Sequence, residues 1–226
     1  MNGAWPLSQA KPTPSQLPAR MPSGPMRKAV RAPTMIIGTL GGMIGPTVEA
    51  AAVMAAAMGV AYWAWTLVYD VLKEPLLKPL GIKRGLDGFW LLAPVFFGYM
   101  VRKPSVALFG SLVAAGVEGI ITQWGMSALV YGLLQGLGAE LVFILFLYRK
   151  WNFSVLMLAA SMAAIFSFGY DFFSQEQDNL SIGFNTLQLL IFVVSAWVFA
   201  AGLSRFLGKR LLKTGLLDGF LIAQDR

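Results

Sequence analysis

Two carboxylates lie inside long apolar runs of this chain. Glu118 sits in a stretch that opens at Arg102-Lys103-Pro104, and Glu140 in the next, which begins after Thr122-Gln123-Trp124-Gly125 and closes at Tyr148-Arg149-Lys150. An acid at bilayer depth costs about 2.5 to 3.5 kcal/mol on insertion scales, so each is a candidate for function. A carboxylate there can accept hydrogen bonds from an amine or balance an organic cation, and aromatic rings give such a guest a face to stack on. Trp90 in the preceding span and Trp124 in the turn offer those rings; Gln135 in mid-span, and Tyr170 and Asp171 near the end of a later span, offer further polar contacts. At about 1.5 Å per residue Glu118 is roughly 21 Å from the Pro104 end and Glu140 roughly 13 Å from the Arg149 end. The difference in depth, about 8 Å, is one that a single small ligand spans.

Plainer roles stay open for each of them. Glu118 can be a protonated helix contact, Gln135 can bond a neighbouring helix, and Asp171 can be a solvated loop acid. Ser111, Ala114, Ala115, Glu118 and Thr122 share one helical face by their spacing, and Gly132, Gly136 and Glu140 share another. Glycine on such a face lets a helix or a flat ligand approach the backbone.

The elements that must position these groups follow from composition. With 57% hydrophobic and 13% charged residues and a mean hydropathy of +0.64, the chain reads as an all-α integral membrane protein. Apolar runs of spanning length predict six transmembrane helices: 48–72, 86–101, the pair carrying the two glutamates, 153–173 and 182–207. Residues 1–46 form a tail with seven prolines in its first 34 positions, 47–210 the membrane domain, and 211–226 a short cytoplasmic segment. Arg205, Lys209, Arg210 and Lys213 read as a surface-lying amphipathic helix beyond the last span. With both termini cytoplasmic, 14 of the 18 Lys and Arg residues lie inside. The other four, Lys73, Lys78, Lys83 and Arg84, fall in an outer loop that reads as a lid or as a contact with lipid phosphates.

Composition also excludes. The chain has no Cys and no His, which removes thiol nucleophiles, disulfides, histidine triads and the usual zinc sites, so neither metal nor cofactor is expected. No Walker A string is present, and the net charge of +7 is assigned to topology and anionic lipid rather than to nucleic acid. The chain is expected not to be an enzyme.

The strings Phe89-Trp90, Tyr99-Met100-Val101-Arg102-Lys103-Pro104, Val117-Glu118, Gln135-Gly136-Leu137-Gly138-Ala139-Glu140, Ser167-Phe168-Gly169-Tyr170-Asp171 and Thr214-Gly215-Leu216-Leu217-Asp218-Gly219 closely resemble the YkoE family. These are substrate-binding (S) components of energy-coupling-factor (ECF) vitamin importers, and the resemblance covers about residues 50 to 220. It implies a six-helix S-component bundle that captures thiamine or hydroxymethylpyrimidine at its outer face. Delivery then passes through a coupling transmembrane subunit and two ATPase subunits or domains. Ser111 stands where the resemblance leads one to expect a second glutamate, and Ser105 where a glycine is usual. The stripe Ala51, Ala55, Gly59 is a candidate docking face for the coupling subunit, with packing inside its own bundle as the other reading. Glu140 can equally clamp its helix to a neighbour. A proton-coupled secondary transporter of a cationic or aminated metabolite, in which Glu118 and Glu140 titrate, is the competing function.

Overall fold

The computed structural model describes residues 46–174, 181–215, 217 and 219–225. Residues 1–45 of the N-terminal tail, and residues 175–180 between the last two spans, lie outside them. Among the described residues the structure is helical, with no strand. It comprises α1 (Pro46–Leu72), a π turn (Lys73–Leu77), a 3-10 segment (Lys83–Leu91), α2 (Leu92–Val101), α3 (Val106–Ile121), α4 (Met126–Leu145), α5 (Phe153–Ser174), α6 (Ile182–Ala196), a π segment (Trp197–Gly202), α7 (Leu203–Lys213) and a terminal 3-10 turn (Leu221–Asp225).

α2 is the central post. Its sequence, Leu-Ala-Pro-Val-Phe-Phe-Gly-Tyr-Met-Val, is apolar all round, and every residue of it is buried, as expected for a helix enclosed on all sides. Around it α1, α3, α4, α5 and α6 follow one another, and the Lys83–Leu91 segment closes the ring between α6 and α1. The ring is tight because its contacts are made by small residues. A Cβ added to Gly59 would stand 2.5 Å from the Ala114 carbonyl oxygen, one on Gly132 2.5 Å from the Ala115 Cβ, and one on Gly138 2.7 Å from the Met162 carbonyl. Such backbone-to-backbone approach is how helices associate in lipid, where no hydrophobic force drives them together.

The Ala51, Ala55, Gly59 stripe is therefore turned inward. Ala51 and Ala55 are 2% and 0% exposed and Gly59 packs on α3, so the docking assignment is corrected to bundle packing. The opposite face of α1, with Val53, Val60, Leu67 and Val71, is the exposed one.

Among the described residues four helices, 49–77, 126–145, 153–174 and 182–213, are long and apolar enough to cross a membrane. The other two passes are shorter. The segment expected as the second span divides at Leu91 into 3-10 and α geometry, and α3 has 16 residues, about 24 Å. Pro94 explains how the 3-10 segment joins α2. With no N–H it leaves the Trp90 carbonyl without its helical donor. The Tyr62 hydroxyl supplies one, donating to Trp90 O at 2.7 Å and accepting from Ala93 N at 2.7 Å.

The basic residues after the sixth span do not form a separate surface helix. The π segment carries α6 directly into α7, making one helix of 32 residues, Ile182–Lys213. The C-terminal segment is likewise part of the packed body: Leu217, Phe220 and Ile222 are buried, with Ile222 beside Tyr99 at Gly208.

Candidate functional site

Because α2 begins only at Leu92, the axis of the ring is unfilled at one end, and a cavity of about 270 Å³ occupies it. That is near the lower limit for small-molecule pockets. Its walls come from α1, the 3-10 segment, α3, α4, α5 and α6. The lining includes Glu118, Gln135, Trp90, Trp124 and Asp171, five of the residues singled out from sequence, brought together from four helical elements and one turn.

Glu118 forms one pole. Its Oε1 accepts from Trp90 Nε1 at 2.7 Å and from Thr66 Oγ1 at 3.3 Å. Both bonds fall on the same oxygen, and Oε2 has no hydrogen-bond partner among the described residues. Gln135 on α4 is also buried at the cavity wall, and its amide makes no hydrogen bond within the described residues. Tyr62 and Tyr69 add rings from α1, and Tyr69 meets Trp90 edge-on at 5.3 Å. Trp63 of the same helix is 40% exposed and is not in the lining. Trp65 instead stacks on Phe89 at 4.5 Å and donates to Leu86 O.

The second pole was not foreseen. Arg84, read as part of a basic outer loop, is 8% exposed and enters the cavity wall. Its Nη1 donates to Asp171 Oδ2 at 2.6 Å and to Asp87 Oδ2 at 3.2 Å, and its guanidinium lies over the rings of Phe168 and Phe192 at 5.4 and 5.6 Å. Tyr131 donates to the other oxygen of Asp171. A buried charge needs such pairing to be tolerated, and here one guanidinium bridges two acids. Asp87 and Ser167, also in the lining, complete this pole. Lys73 and Lys83 line the cavity as well, and burial followed by the Arg84 charge holds the Lys83 ammonium below the ordinary lysine range. The Arg84/Asp87 spacing of three was visible in the sequence; the pairing with Asp171, far along the chain, had no local signal.

The 3-10 segment is fixed against α6. Gly88 N donates to Ser195 Oγ at 3.0 Å, Ser195 Oγ donates to Gly85 O at 2.7 Å, and Gln188 Nε2 donates to Gly81 O at 2.6 Å. Only glycine permits this at position 88, where a Cβ would sit 2.3 Å from the Ser195 carbonyl carbon.

Two expected site residues lie elsewhere. Tyr170 packs edge-on against Tyr131 and is not in the cavity lining. Glu140 is at the other end of the bundle, where Oε1 accepts from Ser105 N at 2.7 Å and Oε2 from Ala107 N at 3.0 Å and Leu108 N at 3.2 Å, with Tyr148 donating to Oε1. These are the free N–H groups of the first turn of α3, where negative charge is favoured. Arg102 and Ser105, at φ of 56° and 65°, turn the chain so that this terminus meets Glu140. The clamp reading therefore holds for Glu140, and the two glutamates do not share a cavity. Ser111 also lies outside the lining, its hydroxyl donating to Gly132 O at 2.8 Å.

Residues 47–166 match the family described as the permease component of an ABC-type cobalt transport system. YkoE of Bacillus subtilis (strain 168), a protein named for HMP/thiamine permeation, is 34% identical over 139 residues, covering 61% of this chain and 70% of YkoE. A crystal structure of an S component of an ECF transporter superposes with a TM-score of 0.74 at 30% identity, covering 79% of this chain and 90% of the other. The chain belongs to the YkoE family of ECF S components. As an S component it is a multi-pass membrane protein and the substrate-binding part of a transporter, not an enzyme, and it works with ECF transport subunits. The cavity at the open end of the ring is the candidate substrate site of this S component.

Proposed function

We propose that this S component captures thiamine or its hydroxymethylpyrimidine part in the cavity, at the outer face of the membrane with both termini cytoplasmic. It then delivers the ligand through a coupling transmembrane subunit driven by two ATPase subunits or domains. The observation that carries the reading is Glu118: one oxygen is held by Trp90 and Thr66, the other has no partner among the described residues, and Gln135, whose amide is likewise without one there, lines the same cavity. An aminopyrimidine presents an exocyclic amine next to a ring nitrogen, a donor beside an acceptor. Glu118 Oε2 accepts from the amine while the Gln135 amide donates to the ring nitrogen, and the surrounding rings sandwich the heterocycle. The name of the Bacillus subtilis relative supports the same substrate class. The excess of Lys and Arg at the other end supports the orientation.

Titration of the purified chain with thiamine and with hydroxymethylpyrimidine, followed by calorimetry, tests this. One-to-one binding of at least one is expected. Glu118→Gln loses a charge-assisted acceptor worth about 1.5 to 3 kcal/mol, which weakens binding about 10- to 150-fold. No binding of any pyrimidine vitamin, or an unchanged affinity in Glu118→Gln, refutes the reading.

A further inference from the structure

Lys73 and Lys83 line the same cavity as Glu118, and neither has a counter-ion. Among the described residues no acid lies within ion-pair distance of either, and neither ammonium makes a hydrogen bond. The Lys73 ammonium lies over the Tyr69 ring, 5.7 Å from its centre. The acids nearest in sequence are engaged elsewhere. Asp70, on the turn before Lys73, accepts from Gln123 Nε2 at 3.4 Å, and Glu74 pairs with Lys78 at 2.6 Å. Asp87, on the same 3-10 segment as Lys83, is bonded to Arg84, as is Asp171.

The backbone at both lysines is fixed. Lys73 opens the π turn, where Lys78 N donates to Lys73 O at 3.0 Å and Pro75 brings no N–H to the α-helical ladder. Single π turns of this kind recur at functional sites. Lys83 lies between two anchors to α6, Gln188 Nε2 on Gly81 O and Ser195 Oγ on Gly85 O. The charges that bear on the Lys83 ammonium are those of Arg84, Asp87, Lys73 and Asp171. This end of the cavity therefore sets three cations, Lys73, Lys83 and Arg84, against two acids, Asp87 and Asp171, an excess of one positive charge. Both lysines are partly exposed whereas Glu118 is buried, so the excess stands nearer the opening.

We propose that Lys73 and Lys83 form an anion subsite at the opening of the cavity, one that takes a phosphate ester carried on the end of the ligand remote from the ring held by Glu118. The inference rests on the proposed aminopyrimidine site and widens its substrate class from the free alcohol to the phosphate monoester. In thiamine monophosphate the phosphate is borne on the side chain of the thiazolium, at the far end from the aminopyrimidine. An ammonium meets phosphate as a point charge with three donors, and two of them share its oxygens without a fixed fork geometry. The bound anion also relieves the repulsion between the two lysines. A phospholipid headgroup offers the same chemistry from the outer leaflet; the subsite is assigned to the ligand because both lysines line the cavity.

The test compares thiamine with thiamine monophosphate, by calorimetric titration of the wild type, Lys73→Gln, Lys83→Gln and the double variant. It is run in non-ionic detergent, and in nanodiscs of phosphatidylcholine with and without phosphatidylglycerol. The wild type is expected to bind the monophosphate at least about fivefold more tightly, on the scale of one charge-assisted hydrogen bond, with the preference shrinking as salt is raised. The double variant is expected to lose that preference while thiamine, itself a cation, binds at least as tightly as before, and each single variant to lose part of it. Both side chains are partly exposed, so the Tm of each variant is expected to match the wild type. A wild type that binds the monophosphate no more tightly than thiamine overturns this proposal alone. So does a preference that survives in the double variant, or an equal loss for both ligands there, which is the result of a purely structural role. A preference abolished by phosphatidylglycerol gives the subsite to lipid headgroups and overturns it too. Failure of the wild type to bind either compound overturns the parent reading as well.

Discussion

Glu140→Gln separates a structural acid from a ligand-binding one. In the wild type each carboxylate oxygen serves two donors, Oε1 those of Ser105 N and Tyr148, Oε2 those of Ala107 N and Leu108 N. The amide keeps one acceptor oxygen and turns an NH2 toward two donors, so two charge-assisted bonds are lost at a helix terminus that also favours negative charge. At about 1.5 to 3 kcal/mol each, the two come to about 3 to 6 kcal/mol. For a chain of this size each kcal/mol moves the melting temperature by about 2 to 4 °C, so Tm is expected to fall by about 6 to 24 °C. Differential scanning fluorimetry of the detergent-solubilised protein measures this, and calorimetric titration of the same sample is expected to give an affinity within twofold of wild type. A large loss of affinity with an unchanged Tm would refute the assignment and return Glu140 to the binding site.

Gly88→Ala places a methyl group against the Ser195 backbone and must push the 3-10 segment off α6; a Tm loss corresponding to about 1 to 3 kcal/mol is expected, together with weaker ligand binding as Arg84, Asp87 and Trp90 shift. Trp90→Phe keeps a ring but removes the N–H that holds Glu118 at 2.7 Å; titration is expected to show affinity about 5- to 10-fold weaker. Ser111→Glu, which restores the acid expected from the family resemblance, inserts a long charged side chain between α3 and α4, where Ser111 is 2% exposed. Loss of folded protein in size-exclusion chromatography is expected, and a well-folded variant with tighter binding would refute that packing argument.

What could be read from the sequence, and what could not, divides along physical lines. Glu118, Gln135 and Trp90 stood out because polar and amphipathic groups inside apolar runs are rare, and the structure places all three around one cavity. The alanine and glycine stripe of α1 announced close packing but not its partner, since spacing defines a face and not what lies against it. Arg84 was misplaced because counting basic residues in a loop treats each as exposed, whereas this one is neutralised by an acid 87 positions away. Glu140 was misread because depth along a helix was compared as if the helix termini were inert. The left-handed residues Arg102 and Ser105, which bring the α3 terminus to it, carry no signal in residue type.

The meeting of helices through Ala55, Ala114, Gly132 and Gly138 has a consequence for how this scaffold diversifies. Walls joined main chain to main chain have no rotamers to adjust, so the frame keeps its dimensions whatever it encloses. Selectivity can then be rewritten only through the few long side chains that project into the hollow, and relatives with other cargoes should differ there while leaving the frame alone.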